Sequence, residues 1–331
     1  MKLLVTGSEG FIGSHLVEEL VYAGHEVTAF VHYNSFNSEG WLDALPEKVR
    51  KAVKVTMGDV RDSGSVRAAV KGQDRVAHLA ALIAIPYSYI APHSYYETNA
   101  LGTLNVLDAC RDFGVERLVH TSTSEVYGSA QYVPIDEKHP LVGQSPYSAS
   151  KIAADQLAHS YWASFGLPVT TLRPFNSYGP RQSQRAFIPS VMVQVLSGAS
   201  KLKLGSLAPT RDLTFVKDTA RGFVKALESD AGLGEVFNMG SGFEISMSDV
   251  VEMIRTISDQ PFDVVEDFER LRPKTSEVAR LWSDSSQVKD IFGWSPVHAE
   301  KEGLVRGLEK TYEWFRNHFG SPGYQSNSYV V

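Results

Sequence analysis

A tyrosine and a lysine lie four residues apart in the segment Tyr147-Ser148-Ala149-Ser150-Lys151. On a helix, two side chains at this spacing share one face and lie one turn apart. Because a nearby ammonium favours a phenolate and lowers the pKa of the phenol, the pair has the composition of a general base. An ordinary exposed helix pair has the same spacing, so the pair alone does not establish this chemistry.

Thr123 and Glu125 follow a predicted strand, RLVHTST over 117–123, that precedes Tyr147 in the chain. Catalytic groups in an open parallel sheet lie beyond the carboxyl ends of the strands. The sequence therefore predicts that Thr123, Glu125, Tyr147 and Lys151 converge on one reacting centre. In an alternative interpretation, Glu125 only begins a helix or a turn.

The glycine-rich segment 7–13, GSEGFIG, follows the first predicted strand directly and opens the first predicted helix. In such a loop Gly7 permits a tight turn, Gly10 lets the backbone approach a pyrophosphate, and Gly13 lets the helix pack closely on the strand. The helix N-terminus, which begins with Phe11 and Ile12, offers free N–H groups to phosphates. This position between strand and helix predicts a dinucleotide site, although the spacing differs from the commoner G-x-G-x-x-G.

The ends of the next two predicted strands concern the adenosine half of such a dinucleotide. NAD-specific proteins usually carry a carboxylate at the end of the second strand, but here the run is FVHYN over 30–34. His32 could meet a 2′-phosphate there, or it could simply be exposed, so NAD and NADP both remain open. Asp59, followed by Val60, could accept a hydrogen bond from adenine or cap the following turn.

Short apolar runs alternate with helical patterns through the first half of the chain, which predicts a parallel sheet with crossover helices. We expect a Rossmann-type α/β domain over residues 1–174 with helices on both faces of the sheet. A smaller mixed α/β domain is expected over residues 175–331, with segments after about residue 211 returning to the first domain. The tail 320–331 has the composition of a flexible terminus.

Composition excludes several classes of protein. The chain has 331 residues, is 43% hydrophobic and carries a net charge of −6 without a dense Lys/Arg block, which argues against nucleic-acid binding. The single cysteine, Cys110, cannot form an intramolecular disulfide or a cysteine-based metal site, and no metal site is predicted. No stretch has the length or apolarity of a signal peptide or a membrane span, so we expect a cytoplasmic protein without membrane contact.

The motifs together resemble the extended short-chain dehydrogenase/reductase superfamily of nucleotide-sugar enzymes. The resemblance extends over nearly the whole chain and rests on the segments 7–13, 78–81 (HLAA), Asn99, Thr123, Tyr147 with Lys151, 173–176 (RPFN), 211–212, 216–218, 238–242, 272–273 and 293–296. It implies a tightly bound NAD(P)⁺ that is regenerated in every cycle. The residues that it assigns to the cofactor are Gly7, Gly10, Phe11, Ile12, Gly13, His32, Asp59, Val60, Leu79, Ala80, Ala81, Tyr147 and Lys151.

The resemblance also implies a nucleoside-diphosphate sugar as substrate, which the domain over residues 175–331 mainly binds and which is held by Ser124, Asn176, Arg211 and Arg272. For each arginine alone, a surface salt bridge is the simpler interpretation. The triplet Thr123-Ser124-Glu125 resembles the sugar 4,6-dehydratases, in particular the GDP-mannose 4,6-dehydratase branch and bacterial nucleotide-N-acetylhexosamine dehydratases. A 4-epimerase, a nucleotide-glucuronate decarboxylase and a cofactor-binding regulatory protein without chemistry remain as alternatives.

Two predicted helices, 99–113 and 147–165, carry apolar side chains that resemble the four-helix bundle of a family homodimer. The side chains concerned are Leu101, Leu104, Leu107, Ile152, Leu157 and Trp162. The same residues could equally be buried within one chain, so only the resemblance favours a homodimer.

Overall fold

A seven-stranded parallel sheet forms the centre of the protein, whose computed structural model describes residues 1–321 and 324. Its strands are β1 (Lys2–Thr6), β2 (Glu26–His32), β3 (Val53–Gly58), β4 (Arg75–His78), β5 (Arg117–Thr121), β6 (Val169–Pro174) and β10 (Val236–Met239). They lie in the order β3-β2-β1-β4-β5-β6-β10. This arrangement confirms the predicted Rossmann-type α/β class.

Twelve α-helices are found in the described part of the chain. They are α1 (Phe11–Tyr22), α2 (Glu47–Ala52), α3 (Ser63–Val70), α4 (Ile85–Ile90), α5 (Pro92–Tyr95), α6 (Gly102–Phe113), α7 (Pro146–Phe165), α8 (Phe187–Leu196), α9 (Val216–Glu228), α10 (Met247–Ser258), α11 (Ser286–Phe292) and α12 (Glu300–His318). Buried apolar residues of α1, α9 and α11 share one core with the sheet, while α3, α6 and α7 share another. Helices therefore cover both faces of the sheet, which explains its nearly continuous apolar strands.

The sequence around α7 fixes where this helix begins and ends. Ser145 caps the first turn by accepting the N–H of Ser148 at 3.1 Å, and Pro146 occupies the first helical position. Gly166 ends the helix in a left-handed conformation with φ +66°. These signals hold the register of Tyr147 and Lys151 relative to the sheet.

The C-terminal part contributes two small sheets and also one strand of the large sheet. The small sheets contain β7 (Asn176–Tyr178), β8 (Lys201–Leu204), β9 (Thr210–Phe215), β11 (Glu244–Ser246) and β12 (Asp263–Glu266). The strands β7 and β9 are parallel, whereas β11 is antiparallel to β9, so the smaller domain is a mixed one. Beyond it, β10 pairs with β6, and Phe237 and Met239 enter the core beside α1. The chain therefore returns to the large sheet after residue 211.

Most of the tail 320–331, whose flexibility was predicted, lies outside the described residues. Within residues 1–321, no helix has both the length and the apolarity needed to cross a membrane.

Candidate active site

The glycine loop forms a narrow cradle between β1 and α1. Gly7 adopts φ +66°, and its carbonyl accepts the N–H of Gly10 at 3.2 Å. A Cβ on Gly13 would collide with the Gly7 carbonyl and lie 2.9 Å from the Cα of Ser8. Gly10 is the N-cap of α1 and provides no side-chain cap, so the first amides of the helix remain available to an anion. The loop therefore fits a dinucleotide pyrophosphate.

Substituting Gly13 by alanine should prevent dinucleotide binding, because the new methyl group must displace the Gly7 carbonyl. We expect at least a tenfold loss of affinity and a destabilisation of about 1–3 kcal/mol, the usual cost of an overpacked site. Calorimetric titration of NAD into the purified variant measures the affinity. Gly24→Ala is the control, since a Cβ there meets no atom within 4 Å although φ is +85°. Equal losses of affinity in both variants would contradict the cradle assignment.

The loop after β4 borders the glycine cradle. The hydroxyl of Thr6 accepts the N–H groups of Leu79 and Ala80, each at 3.1 Å, and a Cβ on Gly7 would lie 2.8 Å from the backbone of Ala80. Asn99 fixes the continuation of this loop by accepting the N–H of Leu82 at 2.8 Å. The predicted cofactor residues Leu79 and Ala80 are thus next to Gly7, and half-buried Ala81 follows them.

The structure places the remaining predicted cofactor residues at the ends of β2 and β3. The side chain of His32 is exposed, while Val60 is buried and packs close to Gly102. Asp59 accepts two hydrogen bonds from the Arg61 side chain and one from its backbone N–H. Hydrogen bonding by Arg61 also lowers the pKa of Asp59. Asp59 therefore shapes the turn, and its contact with adenine stays a prediction.

Thr123, Glu125 and Tyr147 converge beyond the carboxyl end of β5. Thr123 caps a 3₁₀ turn over Ser124–Tyr127 by accepting the N–H of Glu125 at 3.2 Å, and it is hydrogen bonded to the side chain of Tyr147. The backbone amide of Glu125 thus stabilises the turn, as in the alternative interpretation that Glu125 begins a helix or a turn. Its side chain is close enough to Tyr147 and Arg211 to influence the pKa of both, and the residue is only 8% exposed. The carboxylate of Glu125 therefore lies near the phenol of Tyr147.

Lys151 is buried behind this pocket and has a defined partner. Its Nζ donates to the carbonyl of Thr121 at 2.6 Å, at the last residue of β5. Burial lowers the pKa of the lysine to about 8, and Asp155 opposes this shift. The ammonium is thus fixed against β5, the strand that precedes the turn over Ser124–Tyr127.

The predicted lowering of the Tyr147 pKa by Lys151 is not what the structure shows. Burial raises the pKa of Tyr147, the hydrogen bond from Thr123 opposes the rise, and the negative charge of Glu125 adds to it. Desolvation outweighs any effect of the ammonium, whose proton is directed at the Thr121 carbonyl. The protein alone therefore keeps Tyr147 protonated.

The residues predicted to hold the substrate lie on separate elements. Ser124 begins the turn after β5, Asn176 is on β7, Arg211 is on β9, and Arg272 lies in the loop that follows β12. Buried Arg211 donates to Glu277 at 3.4 Å, and Arg272 lies 3.8 Å from the same carboxylate. Burial lowers the pKa of Arg211, which Glu125 and Glu277 oppose. Asn176, on β7, keeps a buried amide oxygen without a partner among the described residues. The two arginines thus lie close to each other, and Arg211 lies close to Glu125, so their charges are available to an anionic ligand beside this carboxylate.

Sequence reasoning missed Asp155, which holds the helix α7 against the sheet. Its carboxylate accepts hydrogen bonds from Ser122 at 2.8 Å and from Arg173 at 2.9 Å, and it contacts His120 at 3.2 Å. These contacts lower the pKa of Asp155 to about 2 despite burial. The spacing of 147, 151 and 155 repeats every four residues, a signal that could have identified the residue. Glu277 gave no such signal, because no local pattern connects it to the two arginines.

The comparisons with known proteins agree with this geometry. The model of the family described as GDP-mannose 4,6 dehydratase matches residues 4–306. The chain is 35% identical over 321 residues to the UDP-glucose 4-epimerase of Corynebacterium glutamicum, with 92% of this chain and 94% of that enzyme covered. It is 32% identical to the dTDP-glucose 4,6-dehydratase of Streptomyces antibioticus, with 96% and 93% covered. A solved double mutant of DesIV, the dTDP-glucose 4,6-dehydratase of Streptomyces venezuelae, was crystallised with NAD bound. It matches with a TM-score of 0.82 and 29% identity over 98% of this chain and 99% of that chain.

Proposed function

The chain belongs to the extended short-chain dehydrogenase/reductase family of nucleotide-sugar epimerases and dehydratases, and from that premise we propose that it is a 4,6-dehydratase. Its substrate is a nucleoside-diphosphate hexose of the N-acetylglucosamine type, and its product is the 4-keto-6-deoxy sugar. The enzyme uses a nicotinamide dinucleotide, as the family does. The acid–base groups described above do not support the alternative of a cofactor-binding regulatory protein without catalytic activity.

The buried carboxylate of Glu125 carries this proposal. Oxidation of a sugar at C4 needs a base for the 4-hydroxyl proton, a role for which Tyr147 is placed. The loss of water from C5 and C6 needs a second group that takes a proton and returns one, and Glu125 lies in the same pocket. The turn engages the backbone amide of Glu125, so its side chain is available for these proton transfers.

The residues of the chain divide the reaction between them. Tyr147 accepts the proton of the sugar 4-hydroxyl, with Thr123 hydrogen bonded to the same phenol. The resulting 4-ketone acidifies the proton at C5, which Glu125 removes. Glu125 then protonates the C6 hydroxyl, which leaves as water, and a proton from solvent returns to C5 when C6 is reduced. Tyr147 releases to solvent the proton that it accepted, so both groups return to their starting states. When bound, the nicotinamide dinucleotide supplies the acceptor for the C4 hydride and its donor to C6, and its oxidised ring brings a positive charge that favours a phenolate.

A 4-epimerase is the second candidate, because named epimerases are among the most similar relatives. Such an enzyme needs the tyrosine base, but its reaction does not require the carboxylate of Glu125. The N-acetylhexosamine type of substrate rests on the overall resemblance of the chain to the bacterial nucleotide-N-acetylhexosamine dehydratases. Arg211 and Arg272, whose shared partner is Glu277, supply positive charge for the diphosphate or the base.

The test of this function is the mass of the product. Purified enzyme is incubated with a panel of UDP-, GDP- and dTDP-linked hexoses, with and without the N-acetyl group, and each mixture is analysed by mass spectrometry. We expect a product lighter by one water from an N-acetylhexosamine nucleotide. A product of unchanged mass that separates chromatographically from the substrate would identify an epimerase. Release of carbon dioxide from a nucleotide-linked glucuronate, added to the panel, would identify a decarboxylase.

We further propose a homodimer through the exposed faces of α6 and α7. Leu101, which immediately precedes α6, and Phe165, the last residue of α7, remain 39% and 55% exposed in the single chain. Leu107 is completely buried within the chain, and Leu157 packs against the same core, so these two belong to the monomer's interior. Sedimentation equilibrium is expected to give twice the mass of one chain, whereas a monomer at all concentrations would exclude this assembly.

A further inference from the structure

The strand β2 has no carboxylate at its end, but the carboxylate of Glu9, a residue of the glycine loop, reaches that position. Its Oε1 accepts the backbone N–H of His32, the last residue of that strand, at 3.0 Å. In this type of fold the end of the second strand is where an acidic side chain meets the adenosine ribose of NAD. The chain therefore has a carboxylate at this position, supplied by the loop and not by the strand.

The position of Glu9 is fixed from two sides. Its side chain is held by the amide of His32, and its backbone carbonyl accepts the N–H of Trp41 at 3.0 Å. The segment after β2 thus folds back onto the glycine loop. A carboxylate held in this way cannot easily turn away from a ligand that enters the cradle.

The second oxygen of Glu9 is left without a protein partner. Oε2 is buried and accepts no hydrogen bond from the residues that the structure describes. Buried polar atoms are nearly always hydrogen bonded in folded proteins, so an orphaned oxygen beside a ligand cradle points to a donor on the ligand. The ribose 2′-hydroxyl of NAD is such a donor, whereas the 2′-phosphate of NADP is an anion.

The cations near this position already have acidic partners. Arg61 forms an ion pair with Asp59 at 2.6 Å, and Arg50 forms one with Glu39. NADP-specific sites of this fold usually offer an arginine to the 2′-phosphate. Exposed His32 is the remaining basic group at the strand end, and its backbone is tied to the carboxylate of Glu9.

We propose that Glu9 makes the enzyme select NAD over NADP, by accepting a hydrogen bond from the ribose 2′-hydroxyl and repelling a 2′-phosphate. Glu9 is a specificity-determining residue in this account and takes no part in the chemistry at the sugar. The inference rests on the dinucleotide site of the family and is independent of whether the reaction is dehydration or epimerisation.

The test measures binding in the absence of any nucleotide sugar, so that its outcome is separate from the outcome of the activity assay. Protein freed of nucleotide is titrated calorimetrically with NAD, NADP, AMP and adenosine 2′,5′-bisphosphate. We expect wild type to prefer NAD by about 100-fold, since like charges in close contact discriminate strongly. In Glu9→Gln the preference should fall at least tenfold, mainly through tighter binding of the 2′-phosphorylated ligands.

Glu26→Gln is the matched control, because it removes the same charge from an exposed side chain at the other end of β2. It should leave the NAD to NADP ratio unchanged. A wild-type preference for NADP would overturn the proposal, and this arm requires no variant to fold. A ratio in folded Glu9→Gln within twofold of wild type would also overturn it.

Discussion

Replacing Glu125 by glutamine should abolish the loss of water while leaving the protein folded. Glutamine keeps the size of the side chain and its polar end, but it cannot take the C5 proton or return one to the C6 hydroxyl. Removal of one general acid–base group costs about 10²–10⁴ in rate, and here one residue performs two proton transfers. Initial rates of formation of the 4-keto-6-deoxy product, followed by mass spectrometry, measure the effect. The turn should keep its structure, because Thr123 accepts a hydrogen bond from the backbone N–H of residue 125 and not from its side chain.

The control for this substitution is Glu116→Gln, just before the opposite end of β5. Glu116 is exposed and lies 3.9 Å from Arg75, so the same loss of charge occurs far from the pocket. We expect its rate to match that of wild type. An active Glu125→Gln enzyme would remove Glu125 from the chemistry and favour the epimerase.

Replacing Tyr147 by phenylalanine should lower the turnover rate by about 10²–10⁴, the contribution of one general base. The ring remains to pack edge-on against Tyr95, whose ring centre is 6.2 Å away, so the shape of the pocket is preserved. Substrate affinity should therefore change little, and the loss should appear in kcat. Steady-state kinetics with the preferred nucleotide sugar separate the two parameters.

Tyr161→Phe on the same helix is the matched control. Its hydroxyl donates to Asp108 at 2.6 Å, away from the catalytic turn. The kcat of this control should stay within threefold of wild type. If Tyr147→Phe behaves in the same way, the tyrosine–lysine pair has no catalytic role in either the dehydratase or the epimerase.

Local patterns in the sequence predicted the first five strands of the large sheet, because each is a short apolar run that can be identified without its partner. The apolar runs at β1 and β5, the glycine loop before α1 and the four-residue spacing in α7 are all visible without a partner. The strand β10 pairs with β6 across more than sixty residues, so only the family resemblance suggested that the chain returns. The small sheets combine short strands from distant segments, and hydrophobic periodicity does not predict such pairing.

The site was predictable where its residues follow a strand end or share a helix face. Thr123, Glu125, Tyr147 and Lys151 meet that condition. The pKa of Tyr147 was not predictable, because it depends on burial, which spacing alone does not report. The sequence did not indicate Glu9, because the acidic side chain that contacts the ribose is expected on β2 itself. Its carboxylate reaches the end of that strand from the neighbouring glycine loop.

Turnover in D₂O tests the assignment of a 4,6-dehydratase most directly. Removal of the C5 proton and its later replacement from solvent must place deuterium at C5 of a product that has lost one water, since the base that removes it exchanges with solvent. Nuclear magnetic resonance of the purified product locates the label, and its mass gives the water loss. We expect one deuterium at C5 of the 4-keto-6-deoxy sugar in wild type. A product of unchanged mass with hydrogen retained at C5 would contradict the dehydratase and leave the epimerase.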